Sequence, residues 1–280
     1  MSDAELTPDA SPRIALLGVA YDGSSSYRRG SANAPPLIRE ALWSEAGNSW
    51  TETGIDLRAG GIDDDGDLVF GAGESAERVR AMIEAALGLI GGSSRRPIVL
   101  GGDHSITYPA LRGFRPHHPR LSVLHLDAHP DLYDEFEGDR YSHACPFARI
   151  MEEGLADRLV QVGIRTMTGH QRDQARRFGV EVIEMREWRD GRRLIFDGPV
   201  YLSLDLDALE PGLAPGVSHR EPGGLSVRQT LSIIQSLEAP LVGADLVEFN
   251  PDADPTGLTA TVCGKLVKEI AAKMLGEGFG

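Results

Sequence analysis

Two kinds of apolar pattern alternate along the chain: short unbroken runs, and segments in which apolar positions recur every three or four residues. The unbroken runs Ile14–Val19, Pro97–Leu100, Leu121–Leu126, Leu159–Ile164, Val180–Ile183, Pro199–Leu204 and Leu241–Leu246 predict strands. Ala76, Val79, Met82, Ile83, Ala86, Leu87 and Ile90 share one helical face, and Gly91-Gly92 ends that helix. Further helices are expected from Leu37 to Trp43 after two prolines, over Cys145–Glu153, and over Gln171–Phe178 with Gly179 as the stop. Ser226 and Gln229 form a capping box before a helix that turns Leu231, Ile234 and Leu237 inward. A last helix, Leu258–Leu275, buries Val262, Leu266, Ile270 and Met274. The acidic run Asp63–Asp67 around Gly66 lacks the glutamate and spacing of a calcium loop and reads as a solvated turn.

Strands apolar on both faces, separated by helices, predict a mostly parallel sheet covered on both sides: a single three-layer α/β/α domain over residues 13–280, after a flexible tail at 1–12. In such sheets ligands bind beyond the carboxyl ends of the strands.

Composition narrows the class. Lys+Arg of 28 against Asp+Glu of 42 gives a net charge of −14, which disfavours nucleic acid and anionic membrane surfaces as partners. Two cysteines, Cys145 and Cys263, argue against a disulfide scaffold. No run approaches the roughly 20 apolar residues of a membrane span, and the polar, acidic start is unlike a secretory or mitochondrial signal. The expected compartment is the cytoplasm.

The chemistry gathers at four strand ends. Pro97–Leu100 delivers Asp103 and His104; Leu121–Leu126 delivers Asp127, His129 and Asp131; Pro199–Leu204 delivers Asp205 and Asp207; Leu241–Leu246 delivers Glu248. Residues two apart on extended backbone point the same way, so the Asp127/His129/Asp131 and Asp205/Asp207 sets can each converge. Taken singly, each residue has an ordinary explanation as a cap, a solvated acid or a hydrogen-bonded histidine. Together, Asp127, Asp131, Asp205 and Asp207 would repel one another unless compensated, and two divalent cations carry the matching charge. A donor set rich in oxygen with two imidazoles suits a hard octahedral ion such as Mn²⁺. Two such ions lower the pKa of a water between them, which predicts hydrolysis of an unreactive bond.

The segments GGDHS (101–105), DAHPD (127–131) and SLDLDALEP (203–211), with the early GVAYDGSSSYRRG and the late DLVEFNP, resemble the ureohydrolase family of arginases and agmatinases over nearly the whole chain. The resemblance implies the arginase-like fold, two Mn²⁺ per chain, and cleavage of a small guanidino substrate to urea and an amine. It implies His104, Asp127, Asp131 and Asp205 around one ion, and His129, Asp127, Asp205 and Asp207 around the other. Asp131 would also pass a proton to the leaving nitrogen, His143 would shuttle protons to solvent, and Glu248 would pair with the guanidinium. Assembly into trimers or hexamers is carried over in the same way.

Arginases of this family place Asn two residues after the third metal acid; here that position is Tyr133. The expected substrate is therefore agmatine, hydrolysed to putrescine and urea, with Asp134, Glu135 and Glu137 available to its amine. Arginine and 4-guanidinobutyrate are the alternatives within the family, the latter with Arg220 as carboxylate partner. Two departures from the family pattern are Glu210, where Asp is usual, and PGVSHREPGG (215–224), which carries His219 and Arg220. A single-zinc deacetylase-like amidohydrolase and a silent regulatory homologue are the competing classes, and the full set of six ligands speaks against both.

Overall fold

A computed structural model describes residues 13–71 and 73–276; the expected tail at 1–12 lies outside the described residues. Among the described residues eight strands form one sheet: β1 (Arg13–Val19), β2 (Ile62–Leu68), β3 (Arg95–Leu100), β4 (Ser122–Leu126), β5 (Arg158–Ile164), β6 (Glu181–Glu184), β7 (Val200–Asp205) and β8 (Leu241–Val247). Their order is β2-β1-β3-β8-β7-β4-β5-β6, and every pairing is parallel.

Seven α-helices connect them among the described residues: α1 (Ala34–Leu42), α2 (Ala76–Gly91), α3 (Thr107–Phe114), α4 (Pro146–Glu152), α5 (Gly169–Phe178), α6 (Val227–Ser236) and α7 (Leu258–Gly276). One core cluster packs Ile38 of α1, Ile234 of α6 and Leu266 of α7 against Leu124, Leu202 and Leu246 of the sheet. The other packs Ile83 of α2, Leu111 of α3, Phe147 of α4 and Ala175 of α5 against Val123 and Tyr201. The sheet is thus covered on both faces, as its unbroken apolar strands require. Each fully buried Leu, Ile or Phe contributes about 1.5–3 kcal/mol. None of the helices of the described residues is long and apolar enough to cross a membrane.

Two elements differ from expectation. The run Asp63–Asp67 belongs to β2, an edge strand paired with β1, and not to a turn. The register slips between Leu16 and Leu17, Gly66 takes a φ of 75° there, and Arg13, Arg39 and Arg95 pair with Asp63, Asp64 and Asp65. Helix α3 has no counterpart among the predicted helices. It is short and carries Pro109 in its first turn, where a missing N–H costs nothing.

The four strands with chemistry at their ends, β3, β8, β7 and β4, are consecutive in the sheet. Their carboxyl ends therefore open side by side at the sheet's centre.

Candidate metal centre

His104 begins a short turn after β3, Asp127 follows the last residue of β4, Asp205 ends β7, Asp207 lies in the next turn, and Glu248 follows β8. The Nδ1 of His104 stands 3.3 Å from Asp127 Oδ2, 3.1 Å from Asp131 Oδ2 and 3.2 Å from Asp205 Oδ2. The Nδ1 of His129 stands 3.0 Å from Asp207 Oδ2 and 3.4 Å from Asp127 Oδ1. All six sequence-predicted ligands are thus together, with Asp127 between the two imidazoles. Asp127 and His129 share with Asp207 one set of ligand atoms close enough for a common ion.

Backbone donors hold the carboxylates. Asp127 Oδ1 accepts from His129 N at 2.6 Å, Asp205 Oδ1 from Asp207 N at 2.7 Å, and Asp207 Oδ1 from Ala128 N at 3.1 Å. Asp131 and Glu248 sit in left-handed backbone, with φ of 48° and 63°, a conformation costing a non-glycine residue about 1–2 kcal/mol. Phe147 N donates to Asp131 O at 3.2 Å and Glu248 N to Gly102 O at 2.8 Å, which anchors both.

The donor set fits a cation. His104 Nε2 pairs with Ser203 Oγ at 3.0 Å, and that hydroxyl donates to Asp245 Oδ1 at 2.6 Å. The proton on the neutral ring is therefore on Nε2, and buried Nδ1 has no hydrogen-bond partner among the described residues. A lone pair facing three carboxylate oxygens is favourable only with positive charge between them. Electrostatics agrees: burial, then the charges of Asp207 and Asp127, push Asp205 well above the usual carboxylate range. Burial and Asp127 likewise push Asp207 up to about 7. Burial opposes charging of His129, yet Asp207 and Asp127 raise its pKa far above normal.

Beside this cluster His143 and Glu248 form a pair, Nδ1 to Oε1 at 2.8 Å. Burial opposes protonation of His143, but Glu248 outweighs it and raises the ring's pKa to about 9. The Nε2 meets Ser26 Oγ at 2.8 Å and Ser26 N at 3.2 Å. The hydroxyl can accept from the charged ring, and the backbone N–H can donate to the neutral one. Either protonation state finds a partner, as a residue that passes protons requires.

Asp103 ties this loop down, accepting from Ser24 N at 2.9 Å and Ser25 Oγ at 3.2 Å. The glycines of GGDHS allow three chain segments to meet here: a Cβ at Gly102 would lie 1.8 Å from Tyr21 O, and one at Gly101 would lie 2.7 Å from Val247 Cγ1. Gly102→Ala is expected to cost about 3 kcal/mol or more through this backbone collision, read from the urea-denaturation midpoint of the purified variant. Unchanged stability would mean the segments part easily.

A cavity of about 210 Å³ reaches the cluster, lined by His129, Asp131, Asp205, Asp207, Glu248 and His143, and further out by Ser26, Tyr133, Phe136, Ala144, Thr166, Thr168, Gln171 and His219. Arg220 does not line it; its guanidinium donates to Pro215 O and Ala253 O, which removes the expected carboxylate partner. Asp134, Glu135 and Glu137 do not line it either. Glu210 is a loop clamp, its Oε2 accepting from Gly223 N at 2.7 Å and Gly224 N at 3.1 Å.

Sequence reasoning missed Ser26, Ser203, Asp245 and His125. His125 Nε2 meets Asp127 Oδ2 at 2.8 Å. It lies two residues before Asp127, and the alternation that united Asp127, His129 and Asp131 extends back to it. Ser203 precedes Asp205 by the same interval. For Ser26, in a long polar loop, no comparable signal exists.

A buried carboxylate and imidazole cluster at the carboxyl ends of a parallel sheet, open to one cavity, defines a metal-dependent hydrolase of the α/β class. The arginase family's sequence profile matches residues 12–272. The chain is 47% identical to arginase 1, mitochondrial, of Arabidopsis thaliana over 95% of this chain and 82% of that protein. It is 34% identical to a guanidinobutyrase of Pseudomonas aeruginosa over 94% and 86%. The solved arginase from Medicago truncatula superposes with a TM-score of 0.90 at 46% identity, covering 94% of this chain and 88% of that one. The chain belongs to the arginase family, hydrolases of guanidino carbon–nitrogen bonds.

Proposed function

We propose that this protein hydrolyses the guanidino group of L-arginine, releasing urea and ornithine, with two divalent cations, Mn²⁺ first among them, held by His104, Asp127, His129, Asp131, Asp205 and Asp207. The observation that carries the reading is the convergence of these six side chains in a chain 47% identical to a plant arginase. When bound, the cations supply Lewis acidity and lower the pKa of water in the cavity. Glu248 takes the guanidinium, with Oε1 held by His104 N at 2.9 Å and by His143. Asp131 orients the attacking water and hands its proton to the leaving nitrogen. His143, linked to Ser26, exchanges protons with solvent.

The outer cavity supports a substrate with a carboxylate. Thr166, Thr168 and Gln171 line it, and Thr168 is the N-cap of α5, so the partial positive charge of a helix N-terminus lies beside the cavity. The acids expected to greet agmatine's amine are elsewhere: Asp134 pairs with Arg149 and Arg140, each at 2.8 Å. Agmatine is the second reading, favoured by Tyr133 on the cavity wall, where its ring packs on Phe136 at 5.1 Å and stacks on His170 at 5.7 Å.

Urea release with Mn²⁺ from L-arginine, agmatine and 4-guanidinobutyrate decides between them. The expected kcat/KM for arginine exceeds that for agmatine by at least about tenfold, a difference of about 1.4 kcal/mol in transition-state binding. The reverse order overturns the substrate, and no urea from any of the three overturns the reaction.

A further inference from the structure

Beneath the metal centre, four polar side chains stand in a row on four neighbouring strands. Gln161 on β5 is in register with His125 on β4, His125 with Ser203 on β7, and Ser203 with Asp245 on β8. All four are fully buried. Residues in register share a face, and Phe147 of α4 covers this one, its ring stacked on that of His125 at 3.9 Å. Ser203 and Asp245 serve His104, as described. The other half of the row faces Asp127.

Its proton positions follow from the hydrogen bonds. Gln161 Nε2 lies 2.6 Å from Pro130 O, a group that can only accept, so this atom is the amide nitrogen and donates. The same nitrogen lies 3.0 Å from His125 Nδ1, which must then accept with its lone pair. The ring is neutral and its proton sits on Nε2, 2.8 Å from Asp127 Oδ2. A protonated Nε2 cannot bind a cation, so His125 is no ligand, although its ring atoms lie with those of His104 and Asp127 in one potential ligand set. Gln161 Oε1 is buried without a partner among the described residues. An amide flip would set oxygen against the Pro130 carbonyl and against the imidazole lone pair. The side chain keeps the orientation that serves Pro130 and His125 and leaves its own oxygen unpaired.

We propose that Gln161 and His125 form a positioning pair for Asp127: the amide selects the imidazole tautomer, and the imidazole N–H fixes the carboxylate that stands between the two metal positions. His129 N holds the other oxygen of Asp127, so neither can rotate away. The proposal rests on the metal-centre reading, and outer partners of this kind are worth about 10–100-fold in metal affinity.

The test is Mn²⁺ titration by calorimetry of the whole chain and of three variants, with the melting temperature of each metal-free chain measured alongside. Gln161→Met, close in volume but without donors, should lower Mn²⁺ affinity by about tenfold. His125→Phe should lower it by up to about a hundredfold, and His125→Gln, which keeps an N–H near Asp127, should recover part of the loss. Nitrogen-15 shifts of the metal-free wild type should show His125 as the Nε2–H tautomer. Wild-type affinity in both Gln161→Met and His125→Phe overturns the proposal, as does an Nδ1–H tautomer. So does a loss of metal-free stability with affinity untouched, the mark of a merely structural pair. Should His125→Phe fail to fold, Gln161→Met and the tautomer decide alone. A wild-type chain that takes up no Mn²⁺ instead overturns the metal centre itself.

Discussion

Asp127→Asn is expected to lower kcat/KM for urea release by at least about 10³-fold, a loss of about 4 kcal/mol of transition-state stabilisation, and to remove stabilisation by Mn²⁺. Both oxygens of Asp127 already accept protein N–H groups, one from His129 N at 2.6 Å and the other from His125 Nε2 at 2.8 Å. An asparagine must set its NH₂ against one of these donors whichever way it turns, and it brings no negative charge to the space between His104 and His129. Of the six clustered residues, Asp127 alone has oxygens within 3.4 Å of both imidazole Nδ1 atoms, at 3.3 Å from His104 and 3.4 Å from His129. Its loss therefore bears on both metal positions. Thermal melts separate binding from chemistry. At a Mn²⁺ concentration a hundred times its dissociation constant, the wild-type chain should gain about 2.7 kcal/mol by mass action, and the variant almost none. A variant that keeps the full metal-dependent gain would mean that Asp127 is a scaffold residue, and the roles given to its neighbours would need revision.

What could be read from sequence followed burial. The central strands β4, β7 and β8 are buried along their whole length, so their apolar runs announce them, and the polar residues just past them stand out by contrast. The edge strand β2 fails on the same principle. Its residues IDDDGDL put acids on both faces of the pleat, because β2 is the edge strand and most of its residues are exposed, and Arg13, Arg39 and Arg95 supply the counter-charge. Charge on an edge strand also discourages pairing with other chains, so a sequence reading takes it for a solvated turn. Periodicity located Asp127, His129 and Asp131 but stopped at the strand boundary, one step short of His125. Gln161, Ser203 and Asp245 are polar residues inside strands, and only the register across β5, β4, β7 and β8 shows that they form one row. Such pairings join residues distant in sequence, and no local pattern encodes them. The expectation that Asp134 would meet agmatine's amine failed for a related reason: Asp134 lies close to the site in sequence, but its carboxylate is engaged by Arg149 and Arg140.

Glu248→Gln should cut kcat/KM by about 10²-fold or more while leaving the Mn²⁺ content of the protein unchanged. Oε1 of Glu248 accepts from His104 N at 2.9 Å and from His143 Nδ1 at 2.8 Å, and the side chain lines the cavity. In glutamine the amide oxygen must take the place of Oε1, since both neighbours donate there. The NH₂ then occupies the position of Oε2 and meets the N–H groups of an incoming guanidinium donor to donor. A charge-assisted hydrogen bond worth about 1.5–3 kcal/mol is lost, and a repulsive contact replaces it. The same substitution moves a titration. Glu248 is the main influence holding His143 up at about 9 against the opposing effect of burial. Without that charge the imidazolium loses its stabilisation, so in the metal-free variant the His143 pKa falls from about 9 toward the ordinary 6.5, which proton NMR of the ring can follow. The cationic form then persists only to a lower pH than in the wild type. Lost activity with metal content and fold intact and His143 shifted down marks Glu248 as the group that meets the substrate. Loss of Mn²⁺ from the variant would instead make it a support of the metal centre, and the guanidinium would have to be recognised elsewhere in the cavity.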